Sequence, residues 1–229
     1  MLVLAPLASA WNWDTHQAFV ESVYYSLDDN LRENLSLSLM EEGSIIPDKV
    51  FQDFGKHSFP LSYVEAKKWL QKTKTDLENK DYKNASLDFG IASHYIVDSF
   101  SSPHSFSGED YASHKEYEDQ ASSDYLYAAC NNEKIKLQDA LYTGSLNGGH
   151  WITWTETRDR SLPFHDVENA MNHLFPIAME TFGSRCRELD TKVEAVHFYL
   201  GWKEILLSAA VLIGIILTGF SLRKDLKNS

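Results

Sequence analysis

Cysteine is scarce, with only Cys130 and Cys186 in a chain of 229 residues. That excludes a disulfide-stapled miniprotein and a cysteine-built metal framework. It leaves room for one disulfide in an exported protein, although sequence alone does not pair the two. No repeat, low-complexity tract or Pro/Gly-rich linker divides residues 11–200, which argues for one domain rather than two. Positive charge is also short: 21 Lys and Arg stand against 33 Asp and Glu, a net charge of -12. Without the last 27 residues the balance is 17 basic against 31 acidic. There is no basic stripe interleaved with aromatics, so the body would repel a phosphodiester backbone unless something cationic sits in a cleft.

Both ends carry addressing signals. Residues 1–10, MLVLAPLASA, place Ala8-Ser9-Ala10 after a short apolar run and read as the remnant of a signal peptide, cleaved before Trp11. The long charge-free run Ile205–Leu222 approaches the roughly 20 residues that a bilayer core requires. We expect a transmembrane anchor over residues 203–222. The basic tail, 223–229, would be cytoplasmic, and the body over 11–200 extracytoplasmic or extracellular. Asn34 and Asn84 each begin a sequon that permits glycosylation.

Between the ends the dominant period is helical. Helices are expected over 15–27, 30–40, 61–79, 82–101, 112–129, 134–142 and 165–188. Asp48 and His57 fall in a loop-like stretch, and residues 143–163 read as irregular, with WITWT as a short strand-like run. The fold class expected is an all-α, single multi-helix domain.

The segment over 82–101 is apolar nearly all round, as a central helix is, yet it carries His94 and Asp98. A buried carboxylate and imidazole are costly unless paired. A plain His–Asp hydrogen bond would answer for an isolated pair, but this one has company. Trp11, His16, Asp48, His57, His104, His114 and Glu118 surround it in sequence order. Both His94/Asp98 and His114/Glu118 stand at i,i+4, on one helix face, and imidazole and carboxylate are ordinary zinc ligands.

WNWDTH, IIPDKV, His57, HYIVDSFSSPH and HKEYE resemble, in order and spacing, the zinc-dependent phospholipases C, and equally the related single-strand-specific zinc nucleases. The resemblance spans residues 11–118. It implies three zinc ions. Asp48, His57, His94 and Asp98 would surround the first, and His104, His114 and Glu118 would hold the second. The third would take His16, a bridging Asp98, and the amino nitrogen and carbonyl oxygen of Trp11. A terminal amine has a pKa near 8, so its ligating form is accessible once Ala10 has been removed. Asp48 is implied as either a ligand or the catalytic general base. Asp14 and Phe54 match the offsets of head-group-binding residues in the phospholipases, whereas Lys49 stands where a tyrosine is expected.

The function so implied is hydrolysis of a phosphodiester by zinc-bound hydroxide, with phospholipid as the substrate of a membrane-tethered enzyme. Two alternatives stay open: a zinc-dependent single-strand nuclease, and a non-catalytic binding module that zinc merely stabilises. The second group has three protein ligands and no cysteine, which leaves a coordination position open, unlike a closed structural site.

Overall fold

The computed structural model describes residues 11–106, 108–121 and 134–185. Nine α-helices occur among them: α1 (Trp13–Ser26), α2 (Asp29–Arg32), α3 (Leu37–Ile46), α4 (Leu61–Glu78), α5 (Tyr82–Asp98), α6 (Tyr111–Gln120), α7 (Leu137–Gly144), α8 (Gly148–Thr157) and α9 (Ser161–Phe182). A π-helical turn at Pro47–Phe51 and 3-10 turns at Phe54–Lys56 and Ser102–Ser105 join them. No strand is present among the described residues, and the fold is all-α. Residues 1–10, Cys130, Cys186 and the run Ile205–Leu222 lie outside the described residues. No described helix is long and apolar enough to cross a membrane.

Local chemistry sets where the helices start. Asn12 caps α1 by accepting from the Thr15 N–H at 2.9 Å, and Asp110 caps α6 through the Ser113 N–H at 2.9 Å. Asp81 caps α5 and Ser36 caps α3 in the same way. The Ser36 cap also explains a departure from the helix expected over 30–40. A side chain that accepts from the Leu39 N–H begins a new helix there, so the segment divides into α2 and α3.

Helix α5 is the centre. From Ala85 to Asp98 only Leu87 is other than buried, and α3, α4 and α9 all pack against it. The α3–α5 contact is backbone on backbone. A Cβ on Gly90 would stand 2.9 Å from Gly43 Cα and 2.9 Å from Ser44 N, with the Met40 carbonyl oxygen nearer still. Only glycine permits that approach. It brings the Ser44 carbonyl within 2.7 Å of His94 Nδ1, so the packing of two helices already orients a side chain of the site.

Two local readings are overturned. WITWT is helical, within α8, where Trp151 and Trp154 share the buried face and stack at 5.4 Å. Asp48 is not in a loop but in the π-helical turn, which ends at Gln52 with a left-handed φ of 52°. The wide turn carries Asp48 to the interior, and Gln52 redirects the chain toward His57.

Candidate metal centre

Four elements deliver five of the polar side chains singled out above to one region, and the Ser102–Ser105 turn and α6 add His104, His114 and Glu118. Helix α1 supplies His16, the π turn Asp48, and the chain after the Phe54–Lys56 turn His57. Helix α5 supplies His94 and Asp98. His16, Asp48, His57, His94, Asp98, His114 and Glu118 are all buried.

The donors gather in two neighbourhoods. In the first, Asp98 is shared: its Oδ1 lies 3.3 Å from His16 Nε2, while Oδ2 lies 2.9 Å from His57 Nδ1 and 3.0 Å from His94 Nε2. Asp48 Oδ1 is 3.7 Å from His57 Nδ1 and 3.6 Å from His94 Nε2. The His16 and His94 rings stack at 4.1 Å. In the second neighbourhood, Glu118 Oε1 lies 2.9 Å from His114 Nε2 and 3.5 Å from His104 Nε2. The two are adjacent, since the His57 and His104 rings are 5.8 Å apart. Trp11 is buried beside them, its indole N–H donating to the Val97 carbonyl at 3.4 Å, one residue before Asp98.

A cleft of about 300 Å³ opens beside Glu118, lined also by Asn12, Trp13, Asp14, Tyr111 and Lys115. Asp14 thus stands on the rim, while Phe54 packs against the His57 ring at 5.7 Å. A family profile for zinc dependent phospholipase C matches residues 15–173. The chain belongs to the zinc-dependent phospholipase C family. No curated protein matches the chain significantly. The family match runs from His16 through both neighbourhoods and on into α9, well past the last motif at Glu118, while Trp11 and Asp14 precede it.

The buried donors fit the zinc that the family name implies. Three sets, His16/Asp48/His94, His57/His94/Asp98 and His104/His114/Glu118, each bring one ligand atom per residue within 4.8 Å of the others. Yet His16 Nε2, His57 Nδ1, His94 Nε2, His104 Nε2 and both Asp98 oxygens lack an aligned hydrogen-bond partner. Nitrogen and oxygen atoms at 2.9–3.3 Å without alignment are what results when lone pairs face a shared point rather than one another. Leaving so many buried polar atoms unmatched would cost about 1–3 kcal/mol each. Coordination of cations answers that cost, and imidazole with carboxylate suits zinc.

The far nitrogen of His94 is held from behind, as a ligating histidine requires. His94 Nδ1 donates to the Ser44 carbonyl, which leaves its Nε2 lone pair facing inward. His57 Nε2 is 3.6 Å from Asp53, and His114 Nδ1 is 3.6 Å from Glu109. Ser101 donates to Glu118 Oε1 at 3.0 Å.

Electrostatics follow the same plan. Burial disfavours ionised Asp98, but the adjoining His94, His16 and His57 imidazoles outweigh it and hold its pKa well below the usual carboxylate range. Burial, reinforced by His94, pushes His16 down, so its ring is neutral and able to ligate. Burial also opposes a charge on His57, yet Asp53, Asp98 and Asp48 together lift its pKa to about 10. Asp53, despite burial, is drawn down to about 2 by hydrogen bonds from His57, Lys56 and Tyr95.

Sequence reasoning missed Asp53, Glu109 and Ser101. Asp53 stands four residues before His57, the same spacing that singled out His94 and Asp98, and could have been found by it. His165 and His173, which are not among the candidate ligands, bond within α9 to Asn169.

Proposed function

We propose that this chain is a phosphodiester hydrolase of phospholipase C type, in which water attacks phosphorus and the bond to the diacylglycerol oxygen breaks. The observation that carries the reading is the set of buried, inward-facing donors next to a cleft open at Glu118. Bound zinc ions supply acidification of water and stabilisation of negative charge on the phosphoryl oxygens. His16, Asp48, His57, His94 and Asp98 would hold ions on one side and His104, His114 and Glu118 on the other, with three as the expected number and Trp11 completing the set.

The chain's own groups do the rest. Asp48, in the buried π turn beside His57 and His94, would orient the attacking water and accept its proton on a carboxylate oxygen. His104, His114 and Glu118 line the side on which the leaving oxygen departs. Asp14 and Trp13 on the cleft rim, with Phe54 against His57, would meet the head group. The acidity of the body supports a lipid over a nucleic acid as substrate. The run Ile205–Leu222 with its basic tail supports a membrane-tethered domain facing outward.

The test is direct. Purified full-length protein in mixed micelles, supplied with zinc, should release diacylglycerol and a phosphorylated head group, and a chelator should stop it. Cleavage of single-stranded DNA with no lipid turnover would transfer the reading to a nuclease. Tight zinc binding with neither activity would leave the binding module.

A further inference from the structure

The most heavily bonded carboxylate in the described structure is not one of the donors above. Asp166, on α9, is fully buried. Its Oδ2 accepts from the Ser102 backbone N–H at 3.0 Å, from the Ser102 hydroxyl, and from the Tyr117 hydroxyl at 2.7 Å. Its Oδ1 accepts from His150 Nδ1 at 2.7 Å and from Asn147 Nδ2 at 3.3 Å. Five donors from three separate parts of the chain therefore converge on one side chain.

The donors on Oδ2 matter most. Ser102 opens the 3-10 turn that presents His104, and the preceding Ser101 bonds Glu118. Tyr117 is the residue before Glu118 on α6, one turn from His114. The turn and the helix bearing the His104–His114–Glu118 set are thus fastened to the same two-oxygen group, in addition to the short stretch of chain between them and the Ser101–Glu118 bond. Hydrogen bonds to a carboxylate are among the stronger kinds in a folded protein, so the loss of this clamp would free both arms.

We infer that Asp166 is the positioning residue of the His104–His114–Glu118 metal group: it fixes the distance between the two arms and so the affinity of that group for zinc. The inference rests on the reading of those three residues as ligands. Asp166 touches neither zinc nor substrate. Its oxygens divide the work, Oδ2 holding the arms and Oδ1 tying the clamp to α8.

The experiment measures zinc binding by equilibrium dialysis against a buffered zinc series, on full-length protein. Asp166→Asn keeps the shape, places an N–H where an acceptor is required, and removes the charge. It should weaken one zinc by at least about tenfold, the usual range for an outer partner being about 10- to 100-fold, and leave the others unchanged. In a His104→Ala background Asp166→Asn should add no further loss of zinc, whereas in a His16→Ala background its effect should be undiminished. His150→Gln, which breaks only the Oδ1 side, should keep parental zinc affinity. If Asp166→Asn fails to fold, Tyr117→Phe removes a single Oδ2 donor and should show the same pattern with a smaller loss. Parental zinc affinity in Asp166→Asn or, where that variant does not fold, in Tyr117→Phe would overturn the inference, whatever happens to the melting temperature. Equal weakening by His150→Gln would overturn it too. A parent that binds no zinc would overturn both this inference and the reading it rests on, whereas a parent that binds zinc normally confines the failure to Asp166.

Discussion

Replacing Gly90 by alanine pits two effects of opposite sign against each other. Alanine in a helix interior is favoured over glycine by about 1 kcal/mol, so propensity alone makes Gly90→Ala stabilising. The structure makes it destabilising. The new Cβ would stand 2.9 Å from both Gly43 Cα and Ser44 N, against an ordinary contact of 3.4–4 Å, so α3 must retreat by about half an ångström or more. All three atoms it meets are backbone, which no rotamer change can move aside. Overpacking of that kind costs about 1–3 kcal/mol, here at the upper end. The retreat also stretches the 2.7 Å hydrogen bond from His94 to the Ser44 carbonyl, worth about 1 kcal/mol. The net expectation is a loss of about 2–3 kcal/mol, accompanied by weaker zinc binding because His94 loses its support. Urea unfolding read by circular dichroism measures the first effect and zinc titration the second. Gly149→Ala is the internal control. It lies in α8 with nothing within 4 Å of its Cβ position, so propensity should prevail and stability rise by about 0.5–1 kcal/mol. A Gly90→Ala protein that is more stable than its parent would refute the close approach of α3 to α5.

Four further outcomes are expected. His94→Ala and Asp98→Asn should each remove zinc and lipid hydrolysis together, checked by metal analysis beside turnover, and activity in a verified zinc-free variant would contradict the mechanism. The pH dependence of stability should carry the mark of His57. Its folded pKa of about 10 lies above its unaltered value of 6.5. Chelator-treated protein therefore holds that stabilisation fully below pH 6.5 and loses it as pH climbs toward 10. Urea midpoints at pH 7 and 9.5 test this, and the zinc-loaded protein should fall less. Asp14→Asn, on the exposed cleft rim, should raise KM for lipid with zinc content unchanged. Lys49 places its ammonium 5.3 Å from the Trp13 ring centroid. Lys49→Tyr should therefore shift hydrolysis toward lipids with a quaternary ammonium head group by about 2- to 5-fold, the worth of one exposed cation–π contact.

What the sequence disclosed was whatever is written within a helical turn. His94 and Asp98 announced themselves because both lie on one face of a segment otherwise apolar all round, and spacing of that kind survives without coordinates. The wide turn at Asp48 did not, because Gly43, Pro47 and Gly55 read as breakers although the chain keeps winding as a π-helix. WITWT misled for a different reason. Its β-branched and aromatic residues favour strands, and tertiary packing of Trp151 and Trp154 prevailed over that preference. Asp166 was invisible because its partners stand 64, 49, 19 and 16 residues away. Convergence at such separations is a property of the fold, and no window along the chain contains it.

The bond from His94 to the Ser44 carbonyl has one more effect. An imidazole with one nitrogen so engaged offers a single electron pair, and one pair serves one cation. His94 belongs to both candidate donor sets on its side of the cleft, yet it can serve only one of the two ions proposed there, while Asp98, with an oxygen turned each way, is the donor that can be shared between them. Were two ions bound on that side, the one that captures the ring would be held the more tightly, and its neighbour, held by what remains, would dissociate as a separate step under mild chelation.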